Sequence, residues 1–327
     1  MNKKLLIAFI LLVLIKGLFS YFVVSPSIFI DEAAYMRNAL VLSKGLFSSE
    51  QLFGVYPPLY SLTIAPARLI DDIEVSYLFV KIINAIISSL ILIPSYFLAK
   101  EFIDKEKAFF IALLVSVLPF NFSFTPYVMS ENLSFLLVLS AIHFFYRTFK
   151  YKDYLSNILT GLFLGLSYLT KVVNILLVPI VLIVSAITLY SEPQRKKEFT
   201  KKALVLLVFF LVSLPVLLSN SSKFESVSAI FLGHYDDEIS RVTTISLAGN
   251  YEEESSRVTT ISTLTFIYWF FAYFGYVLIG SGAILLIYFI KFLRNENSQI
   301  KWILLFTGLF LLGVASYHAS VSGLVKY

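Results

Sequence analysis

Cysteine is absent from the 327 residues, which excludes disulfides, thiolate metal centres and cysteine nucleophiles whatever the redox compartment. Histidine is scarce, and His143, His234 and His318 are too scattered along the chain to form a histidine metal cluster. Charged residues make up 14% of the chain, against about 25% in ordinary soluble domains, so a large solvated surface is excluded. A removable leader is not expected from the first residues either. Residues 1–24 start with Lys3 and Lys4, but the apolar run that follows, about 20 residues, is too long for a signal and no Ala-x-Ala-like cleavage site succeeds it. That stretch reads as an uncleaved first span.

What the chain does have is hydrophobic length. Hydrophobic residues are 58% and aromatic residues 17%, with a mean hydropathy of +0.83, values of the integral-membrane class. The expected fold is all-α integral membrane, one polytopic domain over 1–327. Apolar windows predict about nine transmembrane helices, near 5–24, 76–99, 108–129, 133–149, 155–170, 172–190, 203–218, 264–290 and 302–320. The net charge of +5 does not point to nucleic acid, because the basic residues sit in short segments between spans. If alternate connections face opposite sides, one side collects 16 basic and 7 acidic residues and the other 8 basic and 14 acidic. The positive-inside rule then sets the amino terminus in the cytoplasm of a multi-pass cell-membrane protein and its carboxyl end outside.

Two connections are long, 25–75 and 219–263, and both fall on the external side. In the first, Pro26 breaks the span, Asp31 is a helix cap and Gly45 a stop, which predicts a helix over 32–44. Its apolar residues Tyr35, Met36, Ala39, Leu40 and Leu42 suit a helix lying along the membrane interface. Arg37 does not share a face with Glu32. After the turn at Tyr56, Pro57 and Pro58, the apolar run 59–69 is too short to span and reads as a second interfacial helix. Asp71, Asp72 and Glu74 then form a solvated turn or the cap of the next span.

The second long connection repeats itself: YDDEISRVTTIS starts at Tyr235 and YEEESSRVTTIS at Tyr251. Two copies cannot build a solenoid, so a duplication tolerated in a surface loop is the plain reading. The alternating RVTTIS segments suit a small hairpin. The pairs Asp236–Asp237 and Glu252–Glu253 are ligands of the type a divalent cation takes, without further ligands at defined spacing. No cofactor is required by anything else in the chain.

Adjacent carboxylates at an outer interface, Asp31 and Glu32, supply a general base if an apolar setting raises their basicity. The bland alternative is a cap and a dipole partner. Lys81 and Lys171, near the outer ends of their spans, either meet a phosphate or snorkel to headgroups. Glu131, at the start of the fourth span, pairs with such a base or caps its helix. Lys16 falls near mid-membrane and calls for a structural partner in the bundle, and His143 reads as a satisfied core residue. Gly161 and Gly165 form a GxxxG whose meaning is close helix packing.

In order and spacing, FIDEAAYMRNAL after the first span, VYPPLYSLTIAP in the same loop, YVMSENLSF entering the fourth span and GLSYLTK ending the fifth resemble the GT-C superfamily of polytopic glycosyltransferases. The nearest group is that of protein O-mannosyltransferases and aminoarabinose transferases. The resemblance implies a polyprenyl-phosphate sugar donor, a protein or lipid acceptor, surrounding membrane lipids, and Asp31 as the loop acid at the active site beside Glu32. Charge growing on the departing phosphate needs basic groups in a partly dry site, for which Lys171, Lys81, Arg37 and Arg68 lie at the right depth, and Tyr35, Tyr56, Pro57, Pro58 and Glu131 are candidates for acceptor or loop organisation. Where many relatives have His-Pro-Pro this chain has Tyr56-Pro57-Pro58. The final LVKY resembles the start of a motif that in relatives leads into further helices, which implies a short or truncated member. Two other functions fit the same composition: a transporter or lipid-scrambling protein whose path Lys16 and Lys81 mark, and a catalytically inactive relative serving as a binding subunit.

Overall fold

A computed structural model of the chain describes residues 3–23, 30–45, 56–190 and 195–219. Within them every regular element is helical: α1 (Lys3–Phe22), α2 (Ile30–Ser43), α3 (Pro58–Ile64) continued by a 3-10 turn (Ala65–Leu69), α4 (Ile73–Leu90), α5 (Leu92–Lys100), α6 (Lys105–Val117), α7 (Pro119–Ser123), α8 (Glu131–Lys150), α9 (Tyr154–Thr170), a 3-10 turn (Val172–Leu176), α10 (Leu177–Tyr190) and α11 (Arg195–Ser219). Four stretches are long and apolar enough to cross a membrane, namely Lys3–Phe22, Ile73–Lys100, Glu131–Lys150 and Phe199–Val216. The expected spans at 264–290 and 302–320, and the repeat-bearing loop 219–263 beyond Ser219, lie outside the described residues.

Two prolines mark breaks between helices. Pro94 lacks an N–H and its ring crowds the carbonyl four residues back, and the break between α4 and α5 falls there, at Ile91. Pro119 forces the residue before it out of the helical region: Leu118 has φ −51° and ψ 138°. The single span expected at 108–129 is therefore corrected. It is α6, whose thirteen residues rise only about 20 Å, then the short α7 and an irregular stretch to Ser130. Hydropathy averaged over that window does not register the break. Its path still runs between the two ends of the molecule. Glu101, before α6, meets Lys150 at 2.7 Å, and Val128, after α7, meets Glu32.

Three apolar clusters hold the bundle. One joins α1, α5 and α6 through Leu5, Leu12, Leu92 and Ala112. Another joins α8 to α11 through Phe145, Leu164, Leu177 and Phe209. The third gathers α2, α3, α4 and α8 around Tyr35, Tyr60, Ile64 and Val128. In α9, the missing side chains at Gly161 and Gly165 let α11 lie against the backbone. A Cβ at Gly161 would stand 2.4 Å from the Val205 carbonyl oxygen, and one at Gly165 would stand 2.7 Å from the Val212 side chain.

Lys16 is fully buried and its ammonium donates to the Ser88 carbonyl at 3.0 Å, close to the α4–α5 break, so the mid-span charge is a tie between helices. His143 is a buried core residue beside Phe97 and Phe144, but its Nδ1 has no hydrogen-bond partner among the described residues, which corrects the expectation of a satisfied one.

The ends of the bundle differ in chemistry. At one end Lys150 pairs with Glu101, Lys201 donates to the Lys152 carbonyl at 2.6 Å, and Lys202 donates to Thr148. Twenty residues away along α8, about 30 Å at the helical rise and the thickness of a hydrocarbon core, lie Glu131 and the first-loop acids.

Candidate active site

The local structure around Asp31 and Glu32 follows from a helix that begins two residues before the expected start at Glu32. α2 starts at Ile30, so the expectation of Asp31 as the cap is corrected: its carboxylate lies within the first turn and is taken up by a different partner. The Tyr56 hydroxyl donates to Asp31 Oδ1 at 2.7 Å, joining the two halves of the first loop. Oδ2 of Asp31 has no hydrogen-bond partner among the described residues, and the side chain is half-buried. Gly45, at φ +69°, ends the helix region as expected.

Glu32 is 1% exposed. Its Oε2 accepts from the Val128 N–H at 2.9 Å, a bond across 96 residues that ties α2 to the irregular stretch before α8. A charged acceptor makes such a bond stronger than a neutral one. The apolar face of α2 assigned from its pattern to the membrane interface is instead covered by protein, with Tyr35, Met36, Ala39 and Leu42 all in the shared core. Arg37 points away and is exposed.

Three tyrosines brace the acids. The Tyr35 ring meets those of Tyr56 and Tyr60 edge-on, both at 5.0 Å between centroids. Burial raises the Tyr35 hydroxyl well above its ordinary pKa, and the carboxylates of Glu131 and Asp31 add to the shift. Burial likewise raises Tyr60. Both phenols therefore stay protonated at any working pH, as donors and not as bases. The Tyr60 hydroxyl donates to Asn84 Oδ1 at 2.9 Å, and Asn84 Nδ2 donates to the Tyr127 carbonyl at 2.8 Å. Asn132 Nδ2 reaches the carbonyls of Phe124, Tyr127 and Met129. These amides hold the stretch that presents the Val128 N–H to Glu32. Sequence reading singled out none of Tyr60, Asn84 and Asn132. The available signal was an amide inside an apolar span, since intramembrane polar residues are seldom idle.

The expected cations are differently placed. Lys171 ends α9 and forms an ion pair with Glu131 in the first turn of α8. Lys81 is buried on α4, donates to the Val23 carbonyl at 2.6 Å and feels the attraction of Glu32. It thus sits at the carboxyl end of α1, where the helix dipole favours a cation. Arg68 donates to Ser76 Oγ at 3.0 Å, and its buried Nε has no partner among the described residues. Asp72 caps α4 through the N–H groups of Glu74 and Val75, the cap reading of that acidic turn. Pro57 precedes α3 and Pro58 is its first residue, where a missing N–H costs nothing. Among the described residues no three His, Asp or Glu gather as a metal site, and the acidic pairs near 236 and 252 lie outside them.

Replacement of Tyr56 by Phe removes the only described hydrogen bond to Asp31 while keeping the ring packed on Tyr35. If Asp31 is the reacting group, the expected result is unchanged folding with a fall in kcat of about tenfold or more, because misplacing such a group by an ångström costs up to about a hundredfold. Steady-state kinetics of the variant in proteoliposomes check it.

No curated protein matches the chain. Residues 56–218 match the family described as dolichyl-phosphate-mannose-protein mannosyltransferase, a stretch that holds Tyr56, Lys81, Glu131 and Lys171. With four membrane-length stretches among the described residues and the first-loop acids beside this segment, the chain belongs to that family and is a membrane glycosyltransferase of the GT-C type.

Proposed function

We propose that the protein transfers a sugar from a polyprenyl-phosphate donor to a hydroxyl or amine of a protein or lipid acceptor, at the external face, with Asp31 as general base. The acceptor oxygen or nitrogen attacks the anomeric carbon while the bond to the lipid phosphate breaks, and the electron pair of that bond leaves with the phosphate. The acceptor proton passes to Asp31. Attack opposite the leaving group inverts the anomeric configuration. The observation that carries this reading is the Asp31 carboxylate itself. Tyr56 fixes one oxygen, and the other has no hydrogen-bond partner among the described residues in a half-buried setting.

Glu32 acts through position, tying α2 to the stretch before α8 and so holding Asp31. Charge develops on the departing phosphate, and a cation in a partly dry site stabilises it. Lys171 suits this best, since it lies at a helix end and is already engaged by an anion. Lys81, Arg68 and Arg37 are secondary candidates. Collection of the basic segments at the end opposite Asp31 supports a cytoplasmic amino terminus. Spans at 264–290 and 302–320 would complete about nine crossings and leave residue 327 external.

The experiment is reconstitution of the full chain with a panel of polyprenyl-phosphate sugars and peptide or lipid acceptors, with the anomeric configuration of the product read by NMR. One donor giving an inverted glycoside supports the reading. A product of retained configuration, or no product with any donor, opposes it.

A further inference from the structure

Lys171 and Glu131 come from different helices, and both lie in the segment that matches the family. Their side chains are 27% and 12% exposed, dry enough for the attraction to count and open enough for a ligand to reach. The place occupied by the Glu131 carboxylate favours an anion twice. Lys171 faces it, and the amino-terminal turn of α8 adds its partial positive charge. The neighbouring Tyr35 and Tyr60 both feel that carboxylate, so it lies close to the Asp31 cluster.

From this arrangement we infer that Glu131 is a built-in competitor for the donor phosphate at Lys171, and that it promotes release of the spent lipid phosphate. This rests on the proposal that Lys171 meets the donor phosphate. A phosphate entering the site displaces the carboxylate from Lys171, and the carboxylate takes the ammonium back when the phosphate departs. The donor is a phosphodiester of one negative charge. The product is a monoester that carries up to about two at neutral pH and binds any cation more tightly. Without the competitor the product would hold Lys171 for longer, and turnover would slow. Glu131 is thus a specificity and release residue and takes no part in proton transfer.

The test uses the full chain in proteoliposomes, measuring donor KM, kcat and the inhibition constant of polyprenyl phosphate. Glu131→Gln keeps a hydrogen-bond acceptor for Lys171 but removes the charge. Donor KM and the inhibition constant should both fall about tenfold, the weight of one partly screened ion pair, with a lower kcat. Glu131→Asp, whose shorter reach weakens the pair, should fall between, and this variant carries the test if the Gln protein does not fold. Adding Lys171→Gln to Glu131→Gln should cancel the gain in affinity. If neither Glu131 variant changes the inhibition constant while Lys171→Gln raises donor KM, the competitor is overturned and the phosphate role of Lys171 stands. If Lys171→Gln leaves donor KM unchanged, the phosphate reading of Lys171 falls and takes this inference with it.

Discussion

Asp31→Asn should lower the rate of sugar transfer by about 10³-fold, within the range that general bases contribute, and the loss should appear in kcat. The amide oxygen can still accept from the Tyr56 hydroxyl, so α2 and the loop should keep their places. What disappears is the ability to take the acceptor proton. A thermal melt of the variant matching that of the parent protein, together with the kinetic loss, separates chemistry from folding. Transfer within threefold of the parent would remove Asp31 as the base. Glu32 makes the useful contrast. Its carboxylate is buried on the Val128 N–H, so Glu32→Ala should reduce stability as well as activity by leaving that donor unpaired, at about 1–3 kcal/mol.

The second large effect is expected far from the chemistry. Gly161→Ala sets a methyl group 2.4 Å from the Val205 carbonyl and 2.9 Å from the Val208 side chain. The first of these contacts is backbone, which cannot swing aside, so α9 and α11 must separate. Overpacking of this kind costs about 1–3 kcal/mol, and thermal unfolding in detergent should show a clear fall in Tm. Gly17→Ala, whose new methyl would approach nothing nearer than 4.0 Å, should leave Tm unchanged or slightly raised, since alanine is also the better helix former. An unchanged Tm for Gly161→Ala would mean that α9 and α11 do not pack as closely as described.

Much of this architecture was legible in the sequence because membrane helices announce themselves by length and composition. α1, α8 and α9 fall close to their apolar windows. The GxxxG in α9 signalled tight packing correctly, and Lys16 signalled an internal partner because an unpaired charge at that depth is costly. Local hydropathy did not report the effect of Pro119 within its window, nor the early start of α2 that shifted Asp31 from cap to first turn.

The site was only partly legible. Asp31, Glu32 and the Tyr-Pro-Pro turn stood out as residue types, but what each touches depends on chain folding. Tyr56 is 25 residues from Asp31, and the partner of Glu32 is a backbone N–H, which has no signature in any residue name. Lys171 and Glu131, 40 residues apart, were each candidates with two readings. Their pairing is a property of where α8 begins and α9 ends. The buried amides Asn84 and Asn132 were passed over because an asparagine in an apolar run gives no hint of which carbonyls it will hold.

The central claim is that this membrane protein performs glycosyl transfer, with Asp31 taking the acceptor proton. The most direct measurement follows a polyprenyl-phosphate sugar labelled in both sugar and phosphate, in vesicles containing the full chain, with acceptor present. Labelled sugar should pass to the acceptor in equal amount to the polyprenyl phosphate released, and both should stop in Asp31→Asn. Movement of the intact donor from one leaflet to the other, with no bond broken and no effect of Asp31→Asn, would contradict that claim and identify a lipid-moving protein instead.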